Sequence, residues 1–211
     1  EEPATAAWET PWGLARPGWH IECSAMAKHF LGESFDIHGG GLDLRFPHHE
    51  NELAQSNSAG DSFANFWLHN ALITINGNKM SKSLGNGISV SELANQGSWA
   101  AIRYWLLWAN YRSNLDYNPA SITEAQSALD RIVSFVKRVG KEVNPSPKSL
   151  PEEFVAAMNS DLNVPAALAV LHETVRMGNL AFDQQSASVT EHLAQVVSML
   201  EVLGLSFALA D

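Results

Sequence analysis

The segment that most constrains the fold is residues 38–52, HGGGLDLRFPHHENE, in which three glycines separate a short apolar run from a helix-like sequence. The apolar run ends at His38 and is typical of the end of a buried strand. Glycine has no Cβ, so residues 39–41 leave a bare backbone on which a ligand can lie. Pro47 suits the first turn of a helix, because its missing N–H needs no partner there. The pattern therefore predicts a ligand site at the carboxyl end of a parallel strand.

Three side chains near this segment are candidate metal ligands. A helix that begins at about residue 47 places His48 and Glu52 at positions i and i+4 of one face. Together with Cys23 they supply an imidazole, a carboxylate and a thiolate, which are donors that zinc uses. Two other interpretations stay open, because a lone cysteine is most often a small core residue and a His/Glu pair is often a solvated face. Competing donors are His38 and His49.

Composition sets limits on the class of protein. Of the 211 residues, 45% are hydrophobic and 17% charged, so the chain can bury a core and is not a disordered tail. The net charge of −10 argues against a broad basic surface for nucleic acid, although a local basic site is not excluded. No apolar run approaches ~18 residues, so we expect no membrane span. The single cysteine excludes an internal disulfide, and we expect a cytoplasmic protein.

A second candidate site is the KMSKS segment, residues 79–83, which follows the strong turn signal Asn76-Gly77. Lys79 and Lys82 fit an ordinary exposed loop. They also fit a cationic loop that stabilises the charge of a transferring nucleotide.

Four tryptophans are the aromatic candidates. Trp19 lies four residues before Cys23, on the same helical face, and either closes over a ligand or packs in the core. We expect Trp99, Trp105 and Trp108, on an apolar segment, to be core residues.

Hydrophobic periodicity divides the chain near residues 110–119. Before this point we expect strands at 34–38 and within 63–75, and helices at about 19–30, 47–58 and 99–110, with a short helix capped by Ser89 or Ser91. After it, helices at about 121–143, 151–159, 164–180 and 188–203 predict an antiparallel bundle.

Several motifs together carry a family resemblance. The KMSKS segment resembles the signature of class I aminoacyl-tRNA synthetases, and segments 18–26 (GWHIECSAM), 38–41 (HGGG) and 46–52 (FPHHENE) resemble cysteinyl-tRNA synthetases specifically. Segment 161–168 (DLNVPAAL) resembles the start of that family's helical domain. The resemblance implies an α/β fold: the second half of a Rossmann-like catalytic domain over residues 1–115, then a DALR-like helical bundle over 116–211.

The resemblance also implies the chemistry, which is ATP-dependent activation of cysteine followed by transfer to tRNA(Cys). By their places in the motifs, Cys23, His48 and Glu52 match zinc ligands, and zinc would select the thiol of the substrate, since soft sulfur binds it better than a hydroxyl does. The remaining roles follow in the same way. In the family's substrate pocket, the corresponding residues of this chain are Trp19, His38 and Asp43. In its nucleotide-binding segment, they are Gly39, Gly40 and Gly41. The family's mobile catalytic lysines, which act on ATP with its magnesium, correspond to Lys79 and Lys82. Of the two, Lys82 is the better candidate for phosphate contact.

Three parts of the family pattern are missing. The chain has no second cysteine to serve as a fourth zinc ligand, no His-x-Gly-His motif and no anticodon-reading domain after the helices. We therefore expect an internal piece of a longer synthetase that is inactive when isolated. Two alternatives stay open: the related ligase that joins cysteine to an amino sugar in mycothiol synthesis, and an inactive paralogue that only binds.

Overall fold

The structure is a computed structural model that describes residues 7–80, 85, 87–144 and 149–209. It is a mixed α/β chain, as the sequence predicts. The strands are β1 (Trp8–Thr10), β2 (Gly13–Ala15), β3 (Ser34–Gly41), β4 (Phe63–Asn70), β5 (Ile73–Ile75), β6 (Asn78–Lys79) and β7 (Leu115–Tyr117). The helices are α1 (Trp19–Leu31), α2 (Glu50–Ser58), α3 (Val90–Leu93), α4 (Trp99–Leu106), α5 (Ser121–Val139), α6 (Glu152–Asn159), α7 (Val164–Asp183) and α8 (Val189–Val202).

The chain forms two compact units, Glu1–Ala71 and Leu72–Asp211. This division reflects packing within each unit. The functional boundary that the resemblance places near residue 115 stays a prediction.

The first unit is built around one parallel strand pair. Strands β3 and β4 pair in register from Ser34 opposite Phe63 to Gly41 opposite Asn70, and α2 connects them. Helix α1 precedes β3 and packs against α2; it ends at Gly32, whose φ of 90° favours glycine. Strand β3 is longer than predicted, because the glycines after His38 continue the ladder rather than forming a loop.

Helix α2 begins at Glu50, three residues later than predicted. The preceding residues, Arg45–His49, form a wide turn in which Phe46 has extended backbone angles and the Phe46–Pro47 peptide is cis. A residue with extended angles cannot belong to a continuous α-helix, so regular helix starts only after this turn.

A group of large apolar side chains in the first unit is exposed to solvent. Ile37 on β3 is 61% exposed, Phe66 on β4 is 66% and Phe46 is 77%. Within the described residues, β3 and β4 form a sheet of two strands. The outer edges of β3 and β4 therefore lack a strand partner among these residues, and this apolar surface is exposed.

The second unit begins with a small sheet. Strands β5 and β6 form an antiparallel hairpin around Asn76 and Gly77, with φ of 51° and 74°, which confirms the predicted turn. Strand β7 pairs in parallel with the other side of β5. The apolar stretch 63–75 thus forms two strands that belong to different sheets.

Helices supply the core of the second unit. The periodic apolar residues of α5 form a buried face, in which Ile122, Ala125 and Ile132 are fully buried and Leu129 is 1% exposed. Glycine at position 178 of α7 permits close packing against α5, since a Cβ there would lie 2.6 Å from Cε2 of Phe135.

The tryptophans of the α4 segment do not all lie in the core. Trp105 is 1% exposed and Trp108 is partly buried, as predicted. Trp99 is 59% exposed, so the expectation of a core residue was wrong there. It is the first residue of α4, directly after the capping Ser98, where a side chain can point away from the bundle. Ser89 caps α3 through a capping box with Glu92.

None of the helices in the described parts of the chain is both long enough and apolar enough to span a membrane.

Candidate metal centre and substrate site

Three elements of the first unit bring the predicted metal ligands together. Cys23 comes from α1, His48 from the wide turn and Glu52 from the first turns of α2. One ligand atom from each lies within 4.8 Å of the others. His48 is 5% exposed and Glu52 1%, so this is not a solvated His/Glu face.

The Glu52 carboxylate faces two imidazoles. Oε1 lies 2.7 Å from Nε2 of His48. Oε2 lies 3.0 Å from Nε2 of His38, but neither of these buried atoms has a partner in hydrogen-bond geometry. Buried polar atoms are rarely left without partners. The thiol, imidazole and carboxylate donors therefore fit a zinc ion, which would satisfy the carboxylate.

A second group of donors shares the same carboxylate. Ligand atoms of His38, His49 and Glu52 also lie within 4.8 Å of one another. This group contains the two competing donors that the sequence indicates. This second group has no sulfur donor. The group with Cys23 is therefore the better match to a zinc site, since zinc binds thiolates well.

Burial controls the charges in this cluster. Burial raises the pKa of Glu52 to about 7, and burial together with the Glu52 charge raises the pKa of Cys23, partly offset by a hydrogen bond from Trp19. Burial and neighbouring imidazoles lower the pKa of His38 and of His48, and bring that of His49 to about 4. The histidines are therefore neutral at neutral pH, which is the form that binds metals. A bound cation would favour the ionised thiol and carboxylate.

Two further histidines contact the cluster and were not singled out from the sequence. Nδ1 of His20 lies 2.7 Å from Nδ1 of His48, and Nε2 of His69 lies 2.8 Å from Nδ1 of His49. The contact with His20 leaves Nε2 of His48 directed at Glu52. Strand pairing could have indicated His69, because that residue lies opposite Gly40 in the β3–β4 register.

Trp19 lies over the cluster rather than in the core. Its ring centroid is 4.1 Å from that of His48, and the residue is 58% exposed. This excludes the core alternative and leaves the indole at the mouth of the candidate centre.

The glycines of β3 lie in close contact with neighbouring atoms of the same unit, which leave little room for a Cβ. A Cβ on Gly40 would lie 2.8 Å from Cε1 of His49, and one on Gly39 would lie 3.1 Å from the carbonyl oxygen of Leu68. A Cβ on Gly41 would collide with the carboxylate of Asp43. The bare backbone thus admits His49 and Asp43, in addition to any ligand that lies there.

The other predicted residues lie outside this cluster. Asp43 is exposed on the short 3-10 turn Leu42–Leu44. Lys79 is exposed on β6 of the second unit, and Lys82 lies outside the described residues.

Comparisons with known proteins identify the family. Residues 1–127 match the model of the tRNA synthetases class I (C) catalytic domain, and residues 153–208 match the DALR domain. The cysteine–tRNA ligase of Paenarthrobacter aurescens is 55% identical over 213 residues, covering 97% of this chain and 44% of the relative. That of Leifsonia xyli is 54% identical, covering 98% and 45%. The chain thus spans less than half the length of these relatives.

A solved structure supports the fold independently. A LeuRS–tRNA–LeuAMS ternary complex from Agrobacterium radiobacter matches 95% of this chain and 32% of its own, with a TM-score of 0.66 and 15% identity. At this identity the likeness concerns the fold alone. The catalytic-domain match covers more than half of the chain, and the chain therefore belongs to the class I (C) tRNA synthetase family and carries a DALR domain after the catalytic part.

Proposed function

We propose that this chain forms part of a cysteine–tRNA ligase, which activates cysteine with ATP to cysteinyl adenylate and then transfers it to tRNA(Cys) in the cytoplasm. The observation that carries the proposal is the convergence of Cys23, His48 and Glu52 within 4.8 Å. The names of the curated relatives support the same activity.

Substrate selection rests on the candidate metal centre. Cys23, His48 and Glu52 would hold zinc, which when bound supplies a soft Lewis acid that prefers a thiolate to a hydroxyl, and so separates cysteine from serine. Trp19, over His48, covers this centre and excludes water from the amino-acid side chain. The Asp43 carboxylate binds the substrate ammonium group.

The adenylate lies along the end of β3. His38 and the backbone of Gly39, Gly40 and Gly41 hold it, because the missing side chains allow close approach. His38 faces Glu52 through Nε2, so one imidazole links the amino-acid pocket to the nucleotide segment.

The signature lysines act on the phosphates of ATP, which enters with magnesium. The ammonium groups of Lys79 and Lys82 stabilise charge that grows as pyrophosphate leaves, without forming a covalent bond. Lys82 makes the direct phosphate contact.

Cysteine-dependent ATP–pyrophosphate exchange by the full-length protein tests this proposal. We expect exchange with cysteine, little with serine, and charging of tRNA(Cys) but not of an amino sugar. Exchange without tRNA charging, together with transfer to an amino sugar, would instead identify the mycothiol-type ligase. No cysteine-dependent exchange at all would contradict the proposal and leave a binding protein.

A further inference from the structure

Asp116 on β7 connects the third strand of the small sheet to the turn before Lys79. Its Oδ1 accepts a hydrogen bond from the hydroxyl of Thr74 at 2.6 Å and another from the backbone N–H of Gly77 at 2.9 Å. Asp116 pairs with Thr74 in the parallel register of β5 and β7, which aims the carboxylate toward the hairpin end. One oxygen therefore fixes both a strand and its turn.

Neither donor is used by the hydrogen bonds of the hairpin itself. Asn76 and Gly77 occupy the two central positions of a hairpin in which Ile75 pairs with Asn78. The N–H of the second central residue takes no part in such a pair and is free to bond Asp116, although Gly77 itself is exposed. Thr74 is 5% exposed, so its hydroxyl requires an acceptor inside the protein, and Asp116 supplies it.

The charge of Asp116 suits this role. The hydrogen bonds from Thr74 and Gly77 hold the pKa of the Asp116 carboxyl below its usual range. The carboxylate is therefore ionised at neutral pH, and a charged acceptor makes stronger hydrogen bonds than a neutral one does.

We propose that Asp116 is a positioning residue for the activation step, because it fixes the hairpin whose second strand, Asn78–Lys79, carries the first lysine of the signature. The role rests on the proposed function. Catalysis by charged side chains requires them to be held in place before the transition state forms, and small misplacements are costly. Asp116 acts through the turn and does not touch the substrate.

The same strand pair offers a matched control. Oδ1 of Asn114 accepts a hydrogen bond from the backbone N–H of Leu72 at 3.1 Å, at the end of β5 remote from the turn. Asn114→Ala weakens the strand junction without touching the hairpin end. Asp116→Asn keeps an oxygen acceptor at the hairpin, while Asp116→Ala removes it.

Hydrogen exchange on the purified chain measures the anchoring itself and needs no activity. We expect the amide of Gly77 to exchange roughly threefold to tenfold faster in Asp116→Ala, the factor that corresponds to the net free energy of one hydrogen bond. Asp116→Asn should retain most of the protection, and Asn114→Ala should leave Gly77 unchanged. Equal exchange at Gly77 in the wild type and in Asp116→Ala would overturn the proposal.

Kinetics of the full-length protein test the consequence. In Asp116→Ala we expect kcat for cysteine-dependent pyrophosphate exchange to fall about tenfold or more, with KM for cysteine within about twofold. Asp116→Asn should recover most of the rate, and Asn114→Ala should stay close to wild type. Unchanged kcat in Asp116→Ala, or an equal loss in Asn114→Ala, would overturn the positioning role. If the wild type shows no exchange, the proposed function fails and the positioning role fails with it, whereas the Gly77 measurement still decides the anchoring.

Discussion

Nε2 of His48 lies 2.7 Å from Oε1 of Glu52, although a wide turn carries the histidine and a regular helix carries the carboxylate. The two side chains at positions i and i+4 therefore meet even though the backbone changes from a turn to a helix between them. The pair closes one side of the candidate metal centre and leaves Oε2 of Glu52 without a hydrogen bond.

The first prediction concerns metal content. The full-length protein should hold one zinc, and Cys23→Ser and His48→Ala should each lose most of it, because each removes a donor from the only thiol-containing ligand group in the described residues. Elemental analysis after gel filtration measures this, with His29→Ala, an exposed histidine of α1, as the control. Full zinc in both site variants would contradict the assignment. We expect weaker binding by the isolated chain, because it has no second cysteine to serve as the fourth ligand that the resemblance implies. Each ligand of such a site contributes to holding it together.

Spacing and side-chain chemistry left the metal interpretation of Cys23, His48 and Glu52 open, and the family resemblance singled these residues out. The structure places their ligand atoms within 4.8 Å of one another. Sequence reasoning did not predict the wide turn, since the backbone angles of Phe46 depend on the surrounding packing. It also missed His20 and His69, which enter the cluster only through tertiary contacts that spacing along the chain does not reveal.

Prediction of the helical part succeeded where contacts are local. The apolar face of α5 follows from its own periodicity. The prediction failed at Trp99, because the first residue of a helix can face solvent whatever the average hydrophobicity of its segment. The pairing of β5 with β7 joins residues about forty positions apart, and no local pattern encodes it.

The second prediction concerns the signature loop. In the full-length protein, Lys82→Ala should lower the rate of cysteine activation by on the order of a hundredfold, about 3 kcal/mol, as expected for loss of a preorganised charged donor. Cysteine binding should change little, because the charge that the lysine meets develops only in the transition state. Pyrophosphate exchange and equilibrium cysteine binding, with Lys137→Ala on α5 as the control, measure the two effects. An unchanged exchange rate would remove Lys82 from the mechanism.

The third prediction concerns the chain by itself. The purified 211 residues should show no cysteine-dependent exchange, because the sequence lacks the His-x-Gly-His motif, whose histidines the family resemblance expects to act with the signature lysines. Its exposed apolar surface, which includes Ile37 and Phe66, should bind a hydrophobic dye. Adding the upstream half of the full-length protein as a separate polypeptide should restore some exchange and reduce dye binding. Clear turnover by the chain without that half would contradict this prediction.

The fourth prediction concerns pH. Burial, and to a smaller extent Arg131, lowers the pKa of His172, whose Nε2 lies 2.5 Å from the hydroxyl of Tyr104. The unfolded chain therefore binds a proton at His172 more readily than the folded chain does. The free energy of unfolding should fall as the pH drops below about 6.5.

Urea unfolding of the whole chain at about pH 7.5 and about pH 5, followed in the second unit, tests this dependence. His172→Gln should reduce the difference in unfolding free energy between the two conditions, whereas His29→Gln, an exposed residue of the first unit, should leave it unchanged. The same pH dependence in wild type and His172→Gln would show that other groups cause it.

The most direct test of the central claim is X-ray absorption at the zinc edge of the full-length protein, recorded without amino acid, with cysteine and with serine. If Cys23, His48 and Glu52 hold a metal that selects the substrate thiol, cysteine should add one sulfur ligand to the zinc and serine should add none. Cys23→Ser, if it retains any zinc, should show one sulfur fewer in every condition. An unchanged sulfur count on addition of cysteine would contradict the account.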